Sequence, residues 1–139
     1  QFELAKIIDK YDKIYRFRRI YVDSTGLGDA LVDCCKHVNA TLPIYPINFK
    51  EFKTPLYKNL EKQFEFRLIN LSLCDEWHRF KLIDQLQAQY WEHGKDHDSP
   101  ERIRAIAPND DYPDSLALAV ACQDRGYEYT VIPDEFLSG

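Results

Sequence analysis

Ile20-Tyr21-Val22-Asp23-Ser24-Thr25-Gly26-Leu27-Gly28 sets the fold class of this chain. Its apolar first half predicts a short buried strand over Arg19 to Ser24. The glycines of its second half permit the tight backbone geometry of a turn before a helix. That helix is expected over residues 27 to 38, where Leu27, Leu31, Cys34 or Cys35, and Val38 recur with helical spacing. Leu42 to Phe49 is a second apolar segment, and its Pro43 and Pro46 suit a strand near a sheet edge. A strand, helix, strand unit predicts two parallel strands with a right-handed crossover. Ligands in open α/β sheets gather at the carboxyl ends of the strands, and Asp23 lies at such an end.

Upstream, residues 3 to 17 place Leu4, Ile8, Tyr11 and Tyr15 on one stripe with Ile7 and Ile14 beside it, which predicts a surface helix. Downstream, Thr54 opens a further helix with Leu56, Leu60 and Phe64 in register and Pro55 in its first turn. Arg67 to Leu71 alternates polar and apolar residues as a strand does. Ser72, with Asp75 three residues later, resembles a capping box for a helix reaching about His93, with Trp77, Phe80, Ile83, Leu86 and Tyr90 as its core stripe. Gly94 to Pro100 reads as a polar loop. Arg102 to Ala107 is a candidate strand, expected to pair with Arg67 to Leu71 as an antiparallel ribbon. Asp111 can cap a last helix with Pro113 in its first turn, and the run Leu116 to Cys122 is apolar all round, so this helix is expected to be deeply buried. After Gly126 the pattern fades into a tail.

The 139 residues, 45% hydrophobic and 14% aromatic, fit one globular domain with a real core. Neither a membrane span nor a signal peptide is indicated. Cys34, Cys35, Cys74 and Cys122 form no CxxC pair, which suggests a reducing compartment without disulfides. A net charge of -5 argues against a polybasic nucleic-acid coat, yet a nuclease remains compatible with it, because a metal site needs acids and DNA contacts can be local.

The acids carry the chemistry. An apolar strand fixes Asp23, and an apolar helix fixes Asp111 and Asp114 one turn apart on one face. Asp110 is the weaker candidate, since one residue earlier it points about 100° away around a helix. Hard oxygen ligands on rigid supports favour Mg²⁺ or Mn²⁺, and two such ions suit phosphodiester hydrolysis. The plain alternatives stand beside this: Asp23 can simply close the turn, and a helix cap worth ~0.5–2 kcal/mol explains one late acid better than three.

At these motifs the chain resembles the nuclease domain of phage terminase large subunits, the DNA-packaging motors that cut concatemeric viral DNA. The carriers are Tyr21-Val22-Asp23-Ser24-Thr25-Gly26-Leu27-Gly28-Asp29, the segment Lys53-Thr54-Pro55-Leu56-Tyr57-Lys58-Asn59-Leu60, and Asn109-Asp110-Asp111-Tyr112-Pro113-Asp114-Ser115-Leu116-Ala117-Leu118-Ala119. The resemblance implies an α/β, ribonuclease-H-like fold, here with an added β-ribbon. It implies a two-metal endonuclease acting on double-stranded DNA, with Asp23 as the second acidic ligand and Asp111 or Asp114 as the last. It further implies a portal protein, a small terminase subunit and an ATPase domain as partners in an oligomeric motor, in a host cytoplasm and away from membranes. That fold normally begins with strands bearing another catalytic aspartate, and only a helix precedes Asp23. With Gln1 in place of a Met, this predicts a C-terminal fragment, one that binds metal poorly and cuts slowly or not at all. Another ribonuclease-H-like resolvase or transposase, or a docking module whose acids only cap helices, are the rival readings.

Around these acids, Ser24 and Thr25 suit contact with a DNA phosphate or hydrogen bonding to Asp23. Nucleotide binding at the same turn lacks a Walker lysine and full GxGxxG spacing. Lys50, Lys53, Lys58 and Lys62 form one candidate DNA-backbone patch, and a ribbon bearing Arg67, Arg102 and Arg104 forms another, neither with base-reading character. His93, Asp96, His97 and Asp98 crowd one loop, where solvation is a better account than zinc.

Overall fold

The computed structural model describes residues 1–26, 28–94, 100–106 and 110–123. It is a mixed α/β structure with five helices and two small sheets among these residues. The chain divides into two compact units, Gln1–Phe52 with Cys122–Gly139, and Lys53–Ala121. Among the described residues, no helix is long and apolar enough to cross a membrane.

The first unit holds α1 (Phe2–Tyr15), β1 (Ile20–Asp23), α2 (Gly28–Val38) and β2 (Ile44–Ile47). β1 and β2 pair in parallel, with Ile20 opposite Ile44 and Asp23 opposite Ile47, as the strand, helix, strand reading requires. Pro46, opposite Val22, lacks the N–H an inner strand would donate and is exposed, as an edge position allows. Ala5, Val32, Cys35, Leu42 and Ile44 form the core, with Ile8, Ile20, Val22, Leu31, Cys34 and Val38 packed around it. Burial pushes the Cys35 thiol up, and it pushes Cys122 up to about 11. Cys74 is exposed.

α1 turns a different face inward than the apolar stripe suggests. Ala5 and Asp9 are buried, whereas Leu4, Ile7, Tyr11, Ile14 and Tyr15 are exposed. Alanine adds little bulk between packed helices. The Asp9 carboxylate is satisfied by Lys13 Nζ at 2.6 Å and by Asn39 Nδ2 at 2.8 Å, so it tolerates the position. Arg16 ends the helix in the left-handed region at φ 51°, donating its N–H to the Asp12 carbonyl at 2.7 Å.

The turn after β1 depends on Gly28. A Cβ there would lie 1.9 Å from the Asp23 carbonyl oxygen, a clash with backbone that no rotamer change relieves. Gly26 supplies the positive φ of the same turn, at 120°.

α3 (Phe49–Glu65) starts earlier than Thr54. Asn48 caps it: its side chain accepts from the Lys50 N–H at 3.0 Å, and its carbonyl accepts from Phe52 at 3.0 Å. Pro55 therefore stands inside the helix, on its exposed side.

In the second unit Leu56, Tyr57, Asn59, Leu60 and Gln63 are the buried face of α3. The helix closes with Arg67 in the left-handed region, the Leu68 N–H reaching the Gln63 carbonyl and the Arg67 N–H the Phe64 carbonyl, each at 2.9 Å. Arg67 to Leu71 is consequently no strand. Its alternation is real, but the chain there turns out of a helix cap and finds no ladder partner.

Asp75 itself, rather than Ser72, caps α4 (Glu76–Gln87), its carboxylate accepting from the His78 N–H at 3.0 Å. α4 stops well before His93. Gln89–Glu92 forms β3, antiparallel to β4 (Arg102–Ala105), with Trp91 opposite Ile103. The ribbon thus exists with β4 as expected and a different partner, because aromatic Tyr90 and Trp91 suit a pleated surface, where Trp91 faces Ile103 and Tyr90 faces Arg104. The expected α4 stripe is corrected too, since Trp77, Phe80 and Ile83 are exposed and Leu82 is the buried residue. α5 (Asp111–Ala121) packs against α4 and buries Pro113, Ala117, Leu118 and Val120. Ser115 and Ala119 are exposed, so it is buried on one side rather than all round.

Two outcomes are expected. Gly28→Ala should lower the free energy of unfolding by at least ~1–3 kcal/mol, read by urea denaturation. Asp9, held below the usual carboxylate range by hydrogen bonds from Lys13 and Asn39, contributes stability above its ordinary pKa that is lost as pH falls through the lowered folded value. Unfolding curves recorded from about pH 6 down to about pH 2 should therefore show the advantage of the wild type over Asp9→Asn shrinking.

Candidate functional site

The start of α5 gathers charge. Asp110 immediately precedes the helix, and its carbonyl accepts the Asp114 N–H at 2.9 Å, so the two residues are separated by one full turn. Four residues turn a helix by about 400°, which puts their carboxylates on one side, about 40° apart. Lys53 of α3 lies against both: its Nζ is 2.5 Å from Asp110 Oδ2, 3.3 Å from Asp114 Oδ1 and 3.4 Å from Asp114 Oδ2. One helical turn beyond Lys53, the Tyr57 hydroxyl donates to Asp114 Oδ1 at 2.6 Å. Gln85 of α4 accepts the Tyr112 N–H through its side-chain oxygen at 3.0 Å, fixing the first turn of α5.

Burial governs the electrostatics. It raises Asp114, against the pull of the Tyr57 hydrogen bond and the Lys53 charge, and leaves the acid above its ordinary value. Burial alone would lower Lys53, but the hydrogen bond it donates to Asp110 and the charges of both aspartates outweigh it, and its pKa is raised. Tyr57, buried and facing carboxylates, is pushed far up and remains a neutral donor. Both carboxylates thus converge on one monovalent cation, with a neutral donor orienting the second.

The expected site residues are distributed as follows. Asp114 is at the centre, and Asp110, the weaker candidate, is its partner. Asp111, the first residue of α5, is exposed, so the pair brought together spans four residues rather than three. Asp23 belongs to the first unit, exposed at the end of β1, with Oδ1 accepting the Thr25 N–H at 2.8 Å. Among the described residues no three His, Cys, Asp or Glu side chains gather into a ready metal cluster.

The proposed DNA contacts are partly engaged within the chain. The Ser24 N–H donates to the Ile47 carbonyl at 2.9 Å, and Thr25 Oγ1 accepts the Phe49 N–H at 3.1 Å, so both hold the turn at the sheet end. Lys50 is exposed near the start of α3. Lys58 lies 3.6 Å from Glu101 and 5.7 Å from the Trp91 ring centroid. Arg67 forms the helix cap. Arg102 and Arg104 share the exposed face of the ribbon, where Arg104 pairs with Glu92 at 2.9 Å. His93 meets Glu101 at 3.1 Å, while Asp96, His97 and Asp98 lie outside the described residues.

Two contributors escape a sequence reading. Tyr57 is one turn from Lys53, a spacing visible in the chain, but a tyrosine beside Leu56 and Leu60 reads as core. Gln85 carries no signal at all, because its partner is a backbone N–H distant in sequence. No family model matches the chain, and no curated protein or solved structure matches it.

Tyr57→Phe should remove a donor from a largely buried carboxylate and destabilise the chain by ~1.5–3 kcal/mol. A double-mutant cycle with Asp114→Asn, read by chemical denaturation, should return a coupling of at least ~0.5 kcal/mol.

Proposed function

We propose that this chain is the metal-dependent endonuclease domain of a viral terminase large subunit, ribonuclease-H-like in fold, acting on double-stranded DNA. The observation that carries the reading is the convergence of Asp110 and Asp114 on a single cation. It occurs within the acidic motif that resembles the last catalytic helix of that family. Two hard carboxylates braced at a helix start suit Mg²⁺ or Mn²⁺, and the ammonium between them supports a site adapted to positive charge. Asp110 and Asp114 would hold the ion, with Asp111 as the other candidate ligand in the same unit. Bound there, a pair of such ions supplies an activated water and stabilisation of the leaving oxygen.

The chain's own residues prepare this chemistry. Tyr57 occupies Asp114 Oδ1, which fixes the carboxylate plane. Gln85 anchors the backbone from which Asp114 projects. Lys50, Arg102 and Arg104 are exposed cations able to meet DNA phosphates without reading bases. A portal protein, a small terminase subunit and the host cytoplasm follow from the same reading.

A second reading has its own support: Lys53 already neutralises the acid pair, as it would in a purely structural clasp between α3 and α5. Calorimetric titration with Mn²⁺ separates the two. The nuclease reading expects saturable binding that Asp114→Asn weakens by roughly 10–100-fold or more, with circular dichroism unchanged. Absence of saturable binding in the wild type and in Lys53→Met alike would leave only the clasp.

A further inference from the structure

Resting on the metal reading above, we infer that Lys53 is a built-in counter-cation: it holds Asp110 and Asp114 together when no metal is bound, and a divalent ion enters by displacing it. The geometry points this way because the ammonium lies where an ion shared by the two carboxylates would sit. It is 2.5 Å from Asp110 Oδ2 and nearly equidistant from the two Asp114 oxygens, at 3.3 and 3.4 Å. Asp114 Oδ1 also accepts from Tyr57, which leaves Oδ2 the freer of the two oxygens for a shared cation. A lysine can leave such a place where a shorter side chain cannot, since four methylenes let the head swing out while the stem stays packed. Without any cation, two largely buried carboxylates one turn apart would repel each other and lose hydration. Lys53 therefore keeps the acid pair assembled, and it also sets the affinity with which metal can bind.

The test compares the full chain with Lys53→Met, a variant of similar length and no charge, at constant pH. Mn²⁺ alone is titrated by calorimetry, and thermal unfolding is recorded with and without it. The expected result is Mn²⁺ binding about tenfold or more tighter in Lys53→Met, with a lower melting temperature in the absence of metal that Mn²⁺ restores. Should Lys53→Met fail to fold, the wild type alone still decides. Diamagnetic Mg²⁺ should then shift the Lys53 Cε and Nζ resonances as it saturates the site. Equal Mn²⁺ affinity in the two proteins, or Lys53 resonances unmoved at Mg²⁺ saturation, would overturn the counter-cation while leaving the metal site standing. Absence of saturable Mn²⁺ and Mg²⁺ binding in every form would overturn both.

Discussion

A carboxylate withdrawn from water has to be given partners, and in the second unit that requirement falls on Asp114. Its oxygens are met by the Tyr57 hydroxyl and the Lys53 ammonium, both from one face of α3. Removing either partner would leave charge in a poorly hydrated place, a loss larger than the net worth of the contact itself. The buried face of α3 and the first turn of α5 are therefore tied by polar chemistry. Gln85 adds a third point of attachment through the Tyr112 N–H. The outcome is a rigid start to α5, which is what any role for its acids demands.

The first unit rests on a steric requirement instead. The chain leaving β1 must pass so close to the Asp23 carbonyl that only glycine fits at position 28. The same turn is stitched by the Asp23 carboxylate, the Thr25 hydroxyl and the Ser24 N–H, so Asp23 has a structural task at the sheet end whatever else it does. A residue that closes a turn is also one whose position is well defined, and the two roles are compatible.

Elements whose signal is local were legible. The two parallel strands, the helix between them and β4 follow from apolar runs and glycine placement, and Leu56 and Leu60 are buried as their spacing implies. Errors fell where a longer-range partner or a cap overrode the pattern. Asn48 begins α3 a turn early, left-handed Arg67 ends it, and Tyr90 and Trp91 leave a helical pattern to pair with β4. The α1 stripe misled because Ala5 and a satisfied Asp9 face inward, a choice periodicity alone does not reveal.

Regarding the acids, residue order alone determined which side chains could act and that several stand at helix or strand ends. Spacing favoured Asp111 as the partner of Asp114, since both belong to one turn. Only tertiary structure decided that Asp110 takes that place and that Lys53, a basic residue from a distant helix, lies between the pair. The reason is physical: periodicity along a chain reports which residues share a face, whereas the pairing of charges depends on what the opposing element brings to that face and on how much water is left there.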